Sequence, residues 1–228
     1  MKNFILFSVV LLIAACQKSE LPHPPQNVVN EKNRFRMEGI ANAPAPIVGY
    51  TLYTIATGAH YCDKSTLKSV STSEMKFYAQ FDASAIYTSV TPVNQYDINK
   101  LWGFSEGINN QYNSCRIGWG YNDGNVAGVN LIGTPALRLY AYSYALGVRY
   151  SKEIAVVPLN IPVYCSIKLS GNLYTCTVQY TENNVVKTYS ATVNRGATAT
   201  KASGYQQYPY FGGNEVAPHP IYINIKPA

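Results

Sequence analysis

Several kinds of chemistry are missing from this 228-residue chain. Histidine occurs three times, as His23, His60 and His219, far apart in sequence, and no Cys-x-x-Cys spacing accompanies it. A structural zinc site needs four such donors at close spacing, so no metal centre of that kind is expected. The twelve acids stand nearly all alone, and no strand carries the Glu-x-Asp-x-x-Glu spacing that sets two carboxylates about a glycosidic bond. Basic residues are scattered singles without a run, whereas a nucleic-acid footprint clusters them. The apolar stretch Phe4 to Ile13 is shorter than the roughly 20 residues that cross a bilayer. No segment keeps a helical period over three turns, which argues against helical and α/β classes.

What is present begins at the N-terminus. Met1-Lys2-Asn3 supplies a positive start, and Phe4 to Ile13 follows as an apolar segment of signal-peptide length. It ends in Ile13-Ala14-Ala15-Cys16, which resembles the lipobox of bacterial lipoproteins. That resemblance implies residues 1–15 as a signal peptide, cleavage before Cys16 and lipidation at Cys16. The plain alternative is an ordinary secretory signal with a chance cysteine. Gln17, not Asp, follows the cysteine, and by the same resemblance this points to the outer membrane, on its periplasmic or cell-surface face. Residues 16–46 carry Pro22, Pro24, Pro25, Pro44 and Pro46 with almost no apolar periodicity, and read as a flexible tether. Its end-to-end distance is about 30 Å, from about 5.5 Å times the square root of roughly 30 residues. Residues 47–228 show no second linker and are long enough for one domain with a sizeable core. The formal charge of +6 drops by one when Lys2 leaves, a balance that suits a solvated surface or an acidic glycan nearby.

Apart from Cys16, four cysteines remain, Cys62, Cys115, Cys165 and Cys176. Val163 to Leu169 and Leu173 to Val178 both alternate, with Gly171-Asn172 between them as a turn signal. If residues 169 and 172 face each other, so do Cys165 and Cys176, at a distance a disulfide can bridge. Cys62 with Cys115 then follows by elimination, against the alternative of buried free thiols.

Nearly every other segment also reads as a short strand bounded by Gly, Pro, Asn or Asp. Among them are Glu74 to Phe81, Ala85 to Val90, Ile98 to Phe104, Cys115 to Tyr121, Ala136 to Leu146, Glu153 to Pro158 and Gln206 to Phe211. About a dozen such strands without a βαβ rhythm predict an all-β fold, an antiparallel β-sandwich or barrel. Tyrosine, with 20 copies, suits a pleated, half-wet surface. Alternation from Leu137 to Ala145 places Arg138, Tyr140, Tyr142 and Tyr144 on one strand face. Tyr208 and Tyr210 likewise share a face. Pyranose rings present flat apolar faces and a rim of hydroxyls, so such a row is expected to form a glycan groove floor, with Arg116 nearby. Equally, the tyrosines can form the second, buried face of a central strand, with hydroxyls satisfied at its rim.

The most distinctive stretch runs from Tyr208 through Pro209-Tyr210-Phe211-Gly212-Gly213 and Ala217-Pro218-His219 to Ile221. With Lys100-Leu101-Trp102-Gly103-Phe104 and Arg116-Ile117-Gly118-Trp119 it resembles a signature of uncharacterised Bacteroidetes lipoproteins. Those proteins look like concanavalin-type jelly rolls, distantly similar to alginate-lyase-like polysaccharide lyases, which implies a jelly-roll sandwich and a glycan context. The lyase motifs themselves are incomplete: Tyr210-Phe211-Gly212-Gly213 lacks the family's Lys, and Gln-x-His is absent. Noncatalytic glycan binding at a membrane anchor is therefore the first expectation. The second is a divergent lyase using Tyr210, His219 and Arg116. The third is a structural or adhesive envelope component with protein partners. For His219 the structural alternative is capping of backbone groups ahead of the last strand. No cofactor or nucleic acid is expected; Asn122, Asp123 and Asn125 are a thin hint of structural calcium, equally explained as a turn.

Overall fold

Period-two alternation turns one side chain in two toward a common interior, and two layers of such strands bury it. This computed structural model describes residues 43–122 and 136–228. Cys16, residues 16–42 of the tether, Asp123 and Asn125 lie outside the described residues. The strands are β1 (Thr51–Ile55), β2 (Ser69–Thr72), β3 (Glu74–Phe81), β4 (Asn99–Ser105), β5 (Ser114–Asn122) and β6 (Ala136–Ala145). They continue as β7 (Val148–Val157), β8 (Val163–Ser170), β9 (Leu173–Glu182), β10 (Val185–Asn194), β11 (Ala202–Gln207) and β12 (Ile221–Pro227). One sheet has the order β1-β12-β3-β8-β9-β10 and the other β2-β11-β4-β5-β6-β7, all pairs antiparallel. The chain thus forms the all-β antiparallel sandwich expected from its alternation.

Inward positions of both sheets meet in one apolar layer. Phe77 and Phe81 of β3, Ile223 of β12 and Ile167 of β8 face Ile117 and Trp119 of β5 and Leu139 of β6, all fully buried. Rings interlock edge to face, with Trp119 at 5.4 Å from Phe81 and 5.9 Å from Tyr87, in the tilted geometry aromatic quadrupoles favour. Two hairpins close with both loop residues left-handed: Leu146 and Gly147 at φ 52° and 82°, Asn183 and Asn184 at 51° and 61°. Such turns match the right-handed twist of the strands they join.

The structure departs from the sequence expectations in several places. β2 and the first half of β7 lie where no strand was expected, and Ala85 to Val90 is not a strand but follows a 3-10 turn at Ala83–Ala85. β11 spans Ala202–Gln207, not Gln206 to Phe211. In the β8–β9 hairpin Ser170 faces Leu173, so Cys165 lies opposite Val178, and Cys176 opposite Ile167. A two-residue loop at Gly171-Asn172 moves the pairing by two residues from the expected one; Cys165 and Cys176 do not face each other. Cys62 and Cys115 are likewise unbridged: all four of these cysteines are buried free thiols.

An ion pair ties the sheets at one end. Arg195 gives Nε and Nη2 to the two carboxylate oxygens of Glu106 at 2.6 and 2.7 Å, and Nη1 to the Gly171 carbonyl at 3.0 Å. Tyr174 of β9 donates its hydroxyl to the same carboxylate. Glu106 follows β4, so this clamp fixes the start of the 106–113 loop that rims the groove described next.

Candidate functional site

Alternation along β5 sends Cys115, Ile117 and Trp119 into the core and leaves Arg116 on the opposite face. In the ladder Arg116 stands between Gly103 of β4 and Tyr142 of β6. Gly103 is required by close approach: a Cβ there would come within 2.1 Å of the Cys115 carbonyl oxygen and 2.6 Å of the Arg116 Cα. A bulge between Lys100 and Trp102 shifts the β4 register. It leaves Lys100 beside Gly118, on the same outer face as Arg116. Tyr144 faces Ser114 on one side and Arg149 of β7 on the other.

Lys100, Arg116, Tyr142, Tyr144 and Arg149 line an open groove of about 430 Å³. The Lys100 Nζ sits 4.9 Å from the centre of the Tyr142 ring and 5.8 Å from that of Tyr210, and donates to the Ile98 carbonyl at 2.7 Å. Tyr210 is held by reciprocal backbone bonds with Lys100 at 2.8 and 2.9 Å. His60 stacks on its ring at 5.2 Å and Tyr61 meets it edge-on at 4.9 Å. The Gly212-Gly213 step that follows has a physical reason: a Cβ at Gly212 would fall 2.6 Å from the Lys100 Nζ. Gly213, at φ 81°, would drive one into the Asp97 carboxylate.

The electrostatics are one-sided. Lys100, Arg116 and Arg149 line the groove together with tyrosines, Asn110, Gln111, Gln206 and Gln207, and among the described residues no carboxylate lines it. Arg116 is only 8% exposed, and its Nε is buried with no hydrogen-bond partner among the described residues. Burial lowers the Arg116 pKa from its ordinary value. Burial first, and the nearby Arg116 next, push the Lys100 ammonium down to about 8. Tyr142 moves the other way: burial and then Tyr144, its neighbour at 5.9 Å, raise its hydroxyl above the ordinary phenol range.

The residues singled out from the sequence divide. Arg116, Tyr142, Tyr144, Tyr208 and Tyr210 meet in the groove. Arg138 and Tyr140 line a separate, water-sized hollow beside Asp97 and Gly120, where Arg138 is engaged by Glu153 at 3.0 Å. Tyr208 spends its hydroxyl on Thr66 at 2.7 Å and packs its ring on Trp102. His219 is not in the groove: its Nε2 lies 2.9 Å from the Ser84 carbonyl oxygen, while the Ser84 hydroxyl accepts from the Tyr222 amide at 2.8 Å. That is the backbone-capping alternative, and it removes His219 from any chemistry at Tyr210. Lys100 and Arg149 were not among the expected site residues. An outward position on a strand next to Trp102 was the signal for Lys100, and the bulge obscured it. Gly103-Phe104-Ser105-Glu106-Gly107 spells a Gly-x-Ser-x-Gly elbow, but Ser105 is buried at the end of β4 and donates to the Gly107 carbonyl at 2.8 Å. No strand-to-helix turn presents it.

No protein-family profile and no curated protein sequence matches this chain. Among solved structures it is similar to alginate lyase vAL-1 from Chlorella virus, at 10% identity and TM-score 0.47, over 81% of this chain and 86% of that one. It is also similar to the enzymatically active domain of bacteriophage CBA120 tailspike protein 2, at 9% identity and TM-score 0.36, over 82% and 30%. A third likeness, to Scytalido-glutamic peptidase, has 9% identity and TM-score 0.29, over 78% and 64%.

Proposed function

We propose that the groove binds an acidic polysaccharide of uronic-acid type and cleaves it by β-elimination. The observation that carries this reading is Arg116, a nearly buried guanidinium whose Nε has no partner among the described residues, in a groove that these residues line with two further cations and no acid. A buried donor without a partner is costly to keep and suits an anionic ligand that completes it. Tyr144 and Tyr210 add ring faces for the apolar sides of sugar rings.

Elimination needs three groups, and the groove holds candidates for each. The substrate carboxylate must be neutralised to acidify the C5 proton, which Arg116 can do as a charge-assisted donor. A base must take that proton; Lys100, pushed down to about 8, is partly unprotonated near neutral pH. The electron pair left on C5 forms the C4–C5 double bond, the bond from C4 to the bridging oxygen breaks, and that oxygen takes a proton from an acid. Tyr142, its pKa raised by burial, keeps its proton for that step. Two groups whose environments push their pKa values apart make a natural base and acid pair.

The test is incubation with a panel of uronic-acid polymers, reading ultraviolet absorbance of the unsaturated product and, in parallel, binding. Expected is turnover that rises with pH through about 8, as Lys100 loses its proton. Binding without absorbance would leave a noncatalytic glycan-binding domain. Silence in both assays would sink the glycan reading and favour the envelope-structural one. The lipobox-like Ile13 to Cys16 supports placing this domain on a lipid anchor at the outer membrane.

A further inference from the structure

We propose that Cys115 and Cys176 are the site of a disulfide that joins the two sheets directly beneath the groove. Cys115 lies on the inner face of β5 and Cys176 on the inner face of β9, in opposite layers of the sandwich. Their Sγ atoms are 3.6 Å apart and both residues are fully buried. Closing to a bond of about 2.05 Å asks for about 1.5 Å of movement, shared between two side chains. Cys165 is the competing partner. It lies opposite Val178, two pairs along the ladder from Cys176 opposite Ile167, so the two stand diagonally on the same inner face, and it is the Cys115 sulfur in the other sheet that lies 3.6 Å from Cys176. On β5 the next residue is Arg116, so the bond would pin the strand that presents the groove's guanidinium.

The reaction requires a disulfide-donating oxidant of the thiol–disulfide exchange class. One cysteine thiolate attacks the donor's disulfide to give a mixed disulfide. The second cysteine then displaces the donor: one S–S bond forms, the donor's S–S bond is lost, and the donor leaves as two thiols carrying the two protons. Burial holds the Cys115 thiol above its ordinary range, so exchange occurs before the core closes around it.

The experiment uses the full chain, made in a host that exports it, alkylated under denaturing conditions and mapped without reduction. Expected is a linked peptide pair containing Cys115 and Cys176, with Cys62 and Cys165 carrying the alkyl label. The bond encloses a separation of 61 residues. Reduction should therefore lower Tm by roughly 10 °C, from the loop-entropy relation and the usual scaling of Tm with stability. Cys165→Ser should keep both the linked pair and the reductant-dependent shift; Cys176→Ser should abolish both. Alkyl label on Cys115 and Cys176, after export and again after refolding with oxidised glutathione, would overturn the assignment. So would a Cys165 to Cys176 linkage in the unsubstituted chain.

Discussion

Arg116→Met is expected to lower eliminative turnover of a polyuronate by about 100-fold or more, with Tm unchanged or higher. Removing a preorganised donor from the place where negative charge develops commonly costs about 100- to 1,000-fold in rate. Stability responds in the opposite sense, because among the described residues Arg116 is a buried cation without an ion-pair partner and with its Nε unsatisfied. Holding such a charge inside a fold costs on the order of a few kcal/mol, which an apolar side chain of similar length does not incur. Function kept at the expense of stability is the mark of a site residue. Activity and thermal melts on one preparation check it. Lost Tm with retained turnover would make Arg116 a structural residue and remove the central observation behind the lyase reading.

Arg195→Met is expected to act in reverse, lowering stability by about 3–5 kcal/mol and Tm by roughly 10 °C. Its guanidinium side chain is 1% exposed and Glu106 only 9%, so the substitution strands a carboxylate among apolar neighbours together with the Tyr174 hydroxyl. The exposed pair Lys187–Glu182, at 36% and 37% side-chain exposure, provides the contrast: Lys187→Met should leave the denaturant midpoint nearly unchanged, because water and salt screen an exposed pair. Denaturant melts of both variants check the difference. Adding Glu106→Gln to Arg195→Met should recover part of the loss, since the stranded charge goes with it. Groove affinity should also fall in Arg195→Met, because Glu106 opens the loop that brings Asn110 to Gln207 at 3.2 Å.

Much of the groove was legible one strand at a time. Leu137, Leu139 and Ala141 go to the core, and Tyr142 and Tyr144 go to the other face, as their spacing requires. Local alternation could not show that Arg138 and Tyr140, on that same face, fall into a neighbouring hollow with Glu153 as partner. That outcome depends on which residue of β7 lies alongside, and β7 carries its own register shift opposite Leu139 and Tyr140. Lys100 was hidden for the same kind of reason. Tyr210 and His219, nine residues apart in one distinctive stretch, go to different neighbours, Lys100 and Ser84, so their shared motif did not signal a shared site.

The all-β class, most strands, the two faces of β6 and the turn at Gly171-Asn172 were legible in the residues alone. These follow from backbone sterics and a side-chain period of two, which act over a few residues. The rest came from long-range packing: Arg116 with an Nε unpartnered among the described residues, Lys100 between two tyrosines, and Cys176 against Cys115 in place of Cys165. Each of these depends on which strand lies beside or across from which. Bulges and register shifts set that, and it is resolved only when both sheets close on a common core.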